Sequence, residues 1–133
     1  MTTPRSDDHV LDAAVSRSVV AQIEKGGELS PDAAKRALAE VVKFLEVSAE
    51  MTARGEDVRL VPSVPVDSAW HAFILHTRAY ADFCDRAFGE YLHHDPSPPD
   101  EVPGPGTLVD YLRTRVLIEE RYGALDEELW PLP

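Results

Sequence analysis

Four side chains able to bind a metal ion lie in one stretch of the chain, between residues 67 and 94. Asp67 and His71 are one helical turn apart, and Cys84 and His94 follow them. Zinc accepts sulfur, nitrogen and oxygen donors together, whereas magnesium and calcium prefer oxygen alone. The stretch therefore predicts a zinc site, with iron and copper as alternatives, in which Asp67 is either the fourth ligand or the hydrogen-bond partner of a ligating imidazole. His93 is the alternative to His94, because adjacent side chains point in different directions.

The same side chains also have a plainer interpretation. Asp67 can cap a helix, His71 can fill a polar niche beside Trp70, and a free cysteine is often a small buried hydrophobe. A third interpretation makes Cys84 a nucleophile, with His71 as its base and Asp67 orienting that imidazole. Tyr80, one helical turn before Cys84, could hydrogen-bond within the site. No oxyanion donor is identifiable in the sequence to support that chemistry. Cys84, His71 and Tyr80 are thus the catalytic candidates, with no substrate implied.

A metal site of this kind serves proteins of different classes. An ion enclosed by four protein ligands is structural, whereas an ion with one open position can activate water or a substrate carbonyl. A protein-interaction module without any ion is a further possibility. The sequence does not decide between an enzyme and a non-enzyme.

Two consecutive helices have to position these donors. Apolar residues recur at helical spacing on both sides of Thr77, which we expect to cap the second helix. This pattern predicts a helical hairpin over residues 65–89. Residues equidistant from the turn of a hairpin face each other, so Cys84 is expected level with Asp67 and His71.

Three further helices are predicted around the hairpin. The first begins at His9 and ends at Gly26, and the second has Ser30 as its N-cap, followed by Pro31. Thr107 is expected to cap the last one. Together these helices predict an all-α, compact bundle of about five helices.

The remaining segments are predicted to be irregular. Residues 58–66 are expected to form an extended connector, because two prolines interrupt their apolar run. Residues 95–106 hold five prolines and two glycines, a composition that favours a loop, which could close over an open metal position. Residues 1–8 are polar and expected to be disordered. The chain is long enough for one domain, which is assigned to residues 9–133.

A few other side chains are assigned to solvent or to packing. Glu40 is expected on a solvated helix face, because carboxylates beside lysines at helical spacing are common there. His76 is expected to be exposed at the hairpin turn. Leu129 and Trp130, near the end of the chain, are expected to dock over the core.

Net charge limits the choice of partner. The chain carries a formal charge of −11, so a nucleic acid or an anionic membrane would repel it, whereas a protein or a small molecule remains open. One cysteine permits no intrachain disulfide, and no apolar run resembles a signal peptide or a membrane span. These features predict a cytoplasmic protein.

The central stretch resembles the glycine-rich domain-containing protein-like family, and more closely its small bacterial relatives. Their shared pattern is an acid, then Trp-His, an aliphatic pair, Thr, Tyr, Phe-Cys, Gly, and one or two histidines before Pro. The resemblance implies a compact helical domain with an Asp, His, Cys, His cluster of metal-binding character, and it brings no substrate. Long plant members carry glycine-rich extensions that this chain lacks. The pattern is carried by Asp67, Trp70, His71, Ile74, Leu75, Thr77, Tyr80, Phe83, Cys84, Gly89, His93, His94 and Pro96, with Tyr122, Gly123, Trp130 and Pro131 similar to the tail of such proteins.

Overall fold

The computed structural model describes residues 11–94 and 105–133, and this part of the chain is helical without strands, which confirms the all-α prediction. The predicted disordered segment 1–8 lies outside the described residues. Residues 95–104 of the predicted loop also lie outside them. The last two residues of that predicted loop, 105 and 106, belong to a helix instead. The helices are α1 (Ala13–Lys25), α2 (Pro31–Ala53), α3 (Val64–Leu75), α4 (Thr77–Phe88) and α5 (Pro105–Tyr122). No helix in this part of the chain is long and apolar enough to cross a membrane.

Side-chain caps fix where two of the helices begin. The hydroxyl of Ser30 accepts a hydrogen bond from the N–H of Ala33 at 3.1 Å, as predicted for the start of α2. Ser63 does the same for α3, accepting from the N–H of Val66 at 3.1 Å. The extended connector consequently ends at Ser63 rather than at residue 66, because a proline in the first helical turn is compatible with a helix.

Three predicted helix starts differ from the structure. Asp12 caps α1 by accepting from the N–H groups of two following residues, so the helix begins at Ala13 rather than at His9. Thr77 is the first residue of α4 and not its cap, since the cap position belongs to His76, which makes no capping bond through its side chain. Thr107 lies inside α5, which already begins at Pro105.

The core forms around α2, against which α1, α3 and α5 pack. Phe44 of α2 contacts both tryptophans, with its ring centroid 5.3 Å from Trp70 and 6.4 Å from Trp130. Leu129 and Trp130 are fully buried, so the predicted docking of the chain terminus is confirmed. The second helix of the hairpin, α4, ends at Gly89, whose positive φ of 74° gives the left-handed C-cap that favours glycine.

Glu40 and His76 do not lie where the sequence suggested. The Glu40 side chain is buried, where it accepts hydrogen bonds from the indole N–H of Trp130 at 3.0 Å and from Nζ of Lys43 at 2.9 Å. The sequence suggested a solvated carboxylate, but the docked terminus covers it. His76 is half-buried, since its ring bonds the hydroxyl of Ser18 and the carbonyl of Ala72.

Candidate functional site

The structure brings Asp67 and His94 into direct contact. Asp67 lies in the first turn of α3, and His94 belongs to residues 91–94, which follow α4 without regular secondary structure. The two side chains share a hydrogen bond of 2.6 Å between Asp67 Oδ1 and His94 Nε2. The Asp67 side chain is 48% exposed and that of His94 is 12% exposed, so the pair is held by the protein but reachable from solvent.

The aromatic ring of Trp70 supports the imidazole. Ring centroids of Trp70 and His94 are 4.2 Å apart, and the indole N–H of Trp70 points the other way, toward the hydroxyl of Tyr80 at 3.0 Å. Trp70 and Asp67 are three residues apart on α3 and therefore lie on the same face of the helix. One helix face thus supplies both the carboxylate and the aromatic ring that contact His94.

A second set of contacts holds the segment that carries His94. The hydroxyl of Tyr80 donates to the carbonyl of Leu92 at 2.5 Å. The N–H of Leu92 and the hydroxyl of Tyr80 also contact the sulfur of Cys84. We call Tyr80 and Cys84 the Leu92 clamp, because they engage both backbone groups of that residue, two positions before His94.

Burial dominates the chemistry of the Leu92 clamp. It raises the pKa of Cys84 above its ordinary value, and the contacts with Leu92 and Tyr80 offset only part of that rise. It also raises the pKa of Tyr80 well above the ordinary value for a tyrosine. Both groups are fully buried and are neutral at pH 7. A neutral buried thiol is neither a good nucleophile nor a ready metal ligand.

Two depressions meet at the Asp67–His94 pair. The first, which we call the cleft, has a volume of about 690 Å³ and lies between α2, residues 58–64 and residues 91–94. The second, which we call the groove, has a volume of about 490 Å³ and lies between the end of α1 and α3. Asp67 and His94 line both of them, so the pair forms the wall between two accessible spaces.

The other predicted donors are distributed unevenly around the pair. His71 is exposed and lines the groove together with Asp67 and His94. His93 is exposed and lines the cleft, where its ring lies 4.7 Å from that of Tyr91. In the part of the chain that is described, no group of three or more histidine, cysteine, aspartate or glutamate side chains is arranged to hold an ion.

Sequence reasoning missed how the segment 91–94 is held. The backbone of Leu92 leaves no mark in the sequence, since any residue can supply an N–H and a carbonyl. The contact of the Trp70 ring with His94 also depends on how far the chain turns back after Gly89. The presence of a left-handed cap at Gly89 was the one available signal that the chain returns toward α3.

Comparison with known proteins identifies a family. The model of the UCP032817-like family matches residues 7–100, and the chain therefore belongs to that family. The resemblance to the glycine-rich domain-containing protein-like family is wrong. Several residues that carried it, among them Trp70, Tyr80, Phe83 and Cys84, are buried in the hairpin, where packing restricts the residue type.

The other comparisons add no named relative. No curated protein matches the chain, and no solved structure does. The family name states no activity, so any function has to be argued from the residues of this chain. The matched range includes α1 to α4 and the Asp67–His94 pair, whereas α5 and the docked terminus lie beyond it.

Proposed function

We propose that this UCP032817-like protein binds a divalent transition-metal ion, in the first instance zinc, in the groove. His94 is the principal ligand, His71 is the second, and Asp67 is the hydrogen-bond partner of His94. The observation that carries the proposal is the contact of 2.6 Å between Asp67 and His94. Ligating histidines commonly donate their other ring N–H to a carboxylate, which fixes the tautomer and orients the ring.

The contact also determines which ring nitrogen is available. In the tautomer that donates Nε2–H to Asp67, the lone pair of the neutral His94 ring is on Nδ1. The tilted contact with the Trp70 ring, with centroids 4.2 Å apart, limits how far the imidazole can turn. A fixed ring with one free lone pair is a better ligand than a freely rotating surface histidine.

His71 is the other predicted imidazole donor that lines the groove. It lies one helical turn after Asp67 and lines the groove with Asp67 and His94. Since no three donors converge in the described part of the chain, two imidazoles would hold the ion and water would complete its coordination. Such an open site binds metal more weakly than a closed structural site and is not needed for folding.

Cys84 is left out of this proposed ligand set. Its sulfur is buried behind Tyr80 and engaged by the Leu92 backbone, and its raised pKa favours the thiol over the thiolate. The same environment gives no support to a nucleophile activated by His71, which is exposed. We therefore assign Cys84 to the Leu92 clamp.

Zinc titration of untagged, chelator-treated protein by isothermal calorimetry tests the proposal. We expect one zinc per chain, loss of binding in His94→Ala and weaker binding in His71→Ala. Asp67→Asn should weaken binding by about 10- to 100-fold, as expected for the partner of a ligating imidazole. His93→Ala is the matched control and should bind as the wild type does.

Three outcomes would overturn the proposal. They are an absence of stoichiometric zinc binding by the wild type, equal binding by His94→Ala, and loss of binding in a folded Cys84→Ser variant. The first would leave a plain interaction module as the better interpretation. Circular dichroism of each variant separates lost binding from lost folding.

A further inference from the structure

The cleft has the size and lining of a small-molecule site. Its volume of about 690 Å³ lies within the range of about 300–1,000 Å³ that is usual for such sites. Apolar side chains of α2 and α3 form its base, with the rings of Phe44 and Trp70 5.3 Å apart. Ser48 and Thr52 line it further along α2. An apolar base with a few polar groups is typical of a site for an organic molecule.

The charge of the cleft differs from that of the whole chain. The formal net charge is −11, yet among the described residues that line the cleft Asp67 is the single carboxylate, and it is bonded to His94. Within the same described lining Arg59 is the one guanidinium, and its side chain is exposed. No ion pair to Arg59 is found within the described residues, whereas Arg36 and Arg115 each have carboxylate partners.

The segment that carries Arg59 is tied to α5. Residues 58–60 run along the cleft without regular secondary structure, and the next residue, Val61, donates its N–H to the hydroxyl of Thr114 at 2.9 Å. That contact ties the extended segment to α5 and so fixes the wall that carries Arg59. The cleft therefore has a cationic group on the side formed by residues 58–64 and the imidazole of His93 on the side formed by residues 91–94.

We propose that the cleft binds a small organic carboxylate, with its apolar body against the apolar lining beside Trp70 and its carboxylate on Arg59. An acidic protein repels anions over most of its surface, so a cleft whose arginine has no carboxylate partner among the described residues is where such a ligand is tolerated. The planar guanidinium fork matches a carboxylate better than a lysine would. This site lies on the opposite side of the Asp67–His94 pair from the groove and is independent of the metal.

The probe is 1-naphthoate, a carboxylate with an apolar body, added to protein kept in chelator. The ¹H–¹⁵N signals of the two indole groups report where it binds. We expect the Trp70 signal to shift in a saturable way while the fully buried Trp130 signal stays in place. The uncharged analogue 1-naphthalenemethanol should bind more weakly.

Substitutions at two arginine positions test the role assigned to Arg59. Arg59→Gln should weaken 1-naphthoate binding by about fivefold, the size expected of one solvent-exposed charge pair, and Arg59→Lys should recover only part of it. Arg78→Gln is the control, since Arg78 is exposed on α4 and is not part of the cleft. An absent or unsaturable Trp70 shift, equal binding of the alcohol, or equal losses in Arg59→Gln and Arg78→Gln would overturn the proposal.

Discussion

Both tryptophans contact Phe44, but their indole N–H groups lead to different kinds of site. The N–H of Trp130 donates to the buried carboxylate of Glu40, which Lys43 also contacts. The N–H of Trp70 donates to Tyr80, and Tyr80 in turn holds the segment that carries His94. The first chain of contacts ends inside the protein, whereas the second ends at an accessible pair.

The terminus around Trp130 is a closed structural unit. Ser63 donates to the carbonyl of Leu129 at 2.5 Å, Arg115 donates to the carbonyl of Trp130 at 2.9 Å, and Tyr111 donates to that of Pro131 at 2.7 Å. These groups are satisfied within the protein. We therefore assign this region to stability.

At the hairpin, by contrast, the polar pair remains accessible to solvent. Asp67 and His94 bond each other and still line two depressions, with the Asp67 side chain about half exposed. The comparison indicates that an aromatic anchor alone does not mark a functional site. The feature that distinguishes the candidate site is a polar pair that the protein holds in place and that solvent can still reach.

The largest expected effect is on stability at the terminus. Trp130→Ala should lower the free energy of unfolding by about 3–5 kcal/mol, since it removes a fully buried ring and a partner of Glu40. Urea denaturation measures the change. Trp130→Phe keeps a ring but not the N–H and should cost less, about 1–3 kcal/mol, so an unchanged free energy of unfolding in Trp130→Phe would contradict the role of the Glu40 contact.

A smaller effect is expected from the Leu92 clamp. Tyr80→Phe keeps the buried ring but leaves the carbonyl of Leu92 and the N–H of Trp70 without their partner, at a cost of about 1–3 kcal/mol. It should also change the His94 imidazole signals in NMR spectra. Tyr91→Phe is the matched control, because Tyr91 is exposed. Unchanged His94 signals in Tyr80→Phe would show that the clamp does not position the imidazole.

At the terminus, Asp126 should make stability depend on pH in the acid range. Desolvation acts to raise its pKa, but the Arg36 guanidinium and the N–H groups of Glu128 and Leu129 outweigh it, so the pKa is lowered on balance. A lowered pKa in the folded state gives stability that is present above the unfolded value, near 3.9, and is lost as the pH falls through the folded value. Unfolding of Asp126→Asn and wild type should differ at pH 6 and converge in strong acid; a constant difference would contradict this assignment.

The last prediction concerns the reactivity of the Cys84 thiol in the folded protein. Because burial raises its pKa, the folded protein should react with iodoacetamide at pH 8 far more slowly than the urea-unfolded chain does. The raised pKa favours folding below the unfolded thiol value, and that contribution falls as the pH rises above it. Mass spectrometry measures both rates, and rapid labelling of the folded protein would revive the nucleophile hypothesis.

Local chemistry made part of this fold predictable. Ser30 with Pro31, and Gly89 at the end of α4, follow rules that depend on neighbouring residues alone, and the structure has them as expected. The apolar pair Leu129 and Trp130 had to be buried somewhere. The carboxylate and late histidine were expected near each other because the hairpin and its cap return the chain toward α3.

Tertiary contacts made the rest unpredictable. Glu40 is buried only because a tryptophan from the far end of the chain covers it. Cys84 is buried against the Leu92 backbone, whereas His71 is exposed. Periodicity identifies the buried face of a helix, but it does not identify which residue of another segment that face meets.

The most direct test is to follow all the histidine side chains by ¹H–¹⁵N NMR while zinc is added. We expect the ring signals of His94 and His71 to shift together and saturate at one zinc per chain, with Nδ1 of His94 as the bound nitrogen. His76 and His93 should stay unchanged. Zinc-dependent shifts confined to His93, or none at saturating zinc, would contradict the assignment of the Asp67–His94 pair as the functional centre.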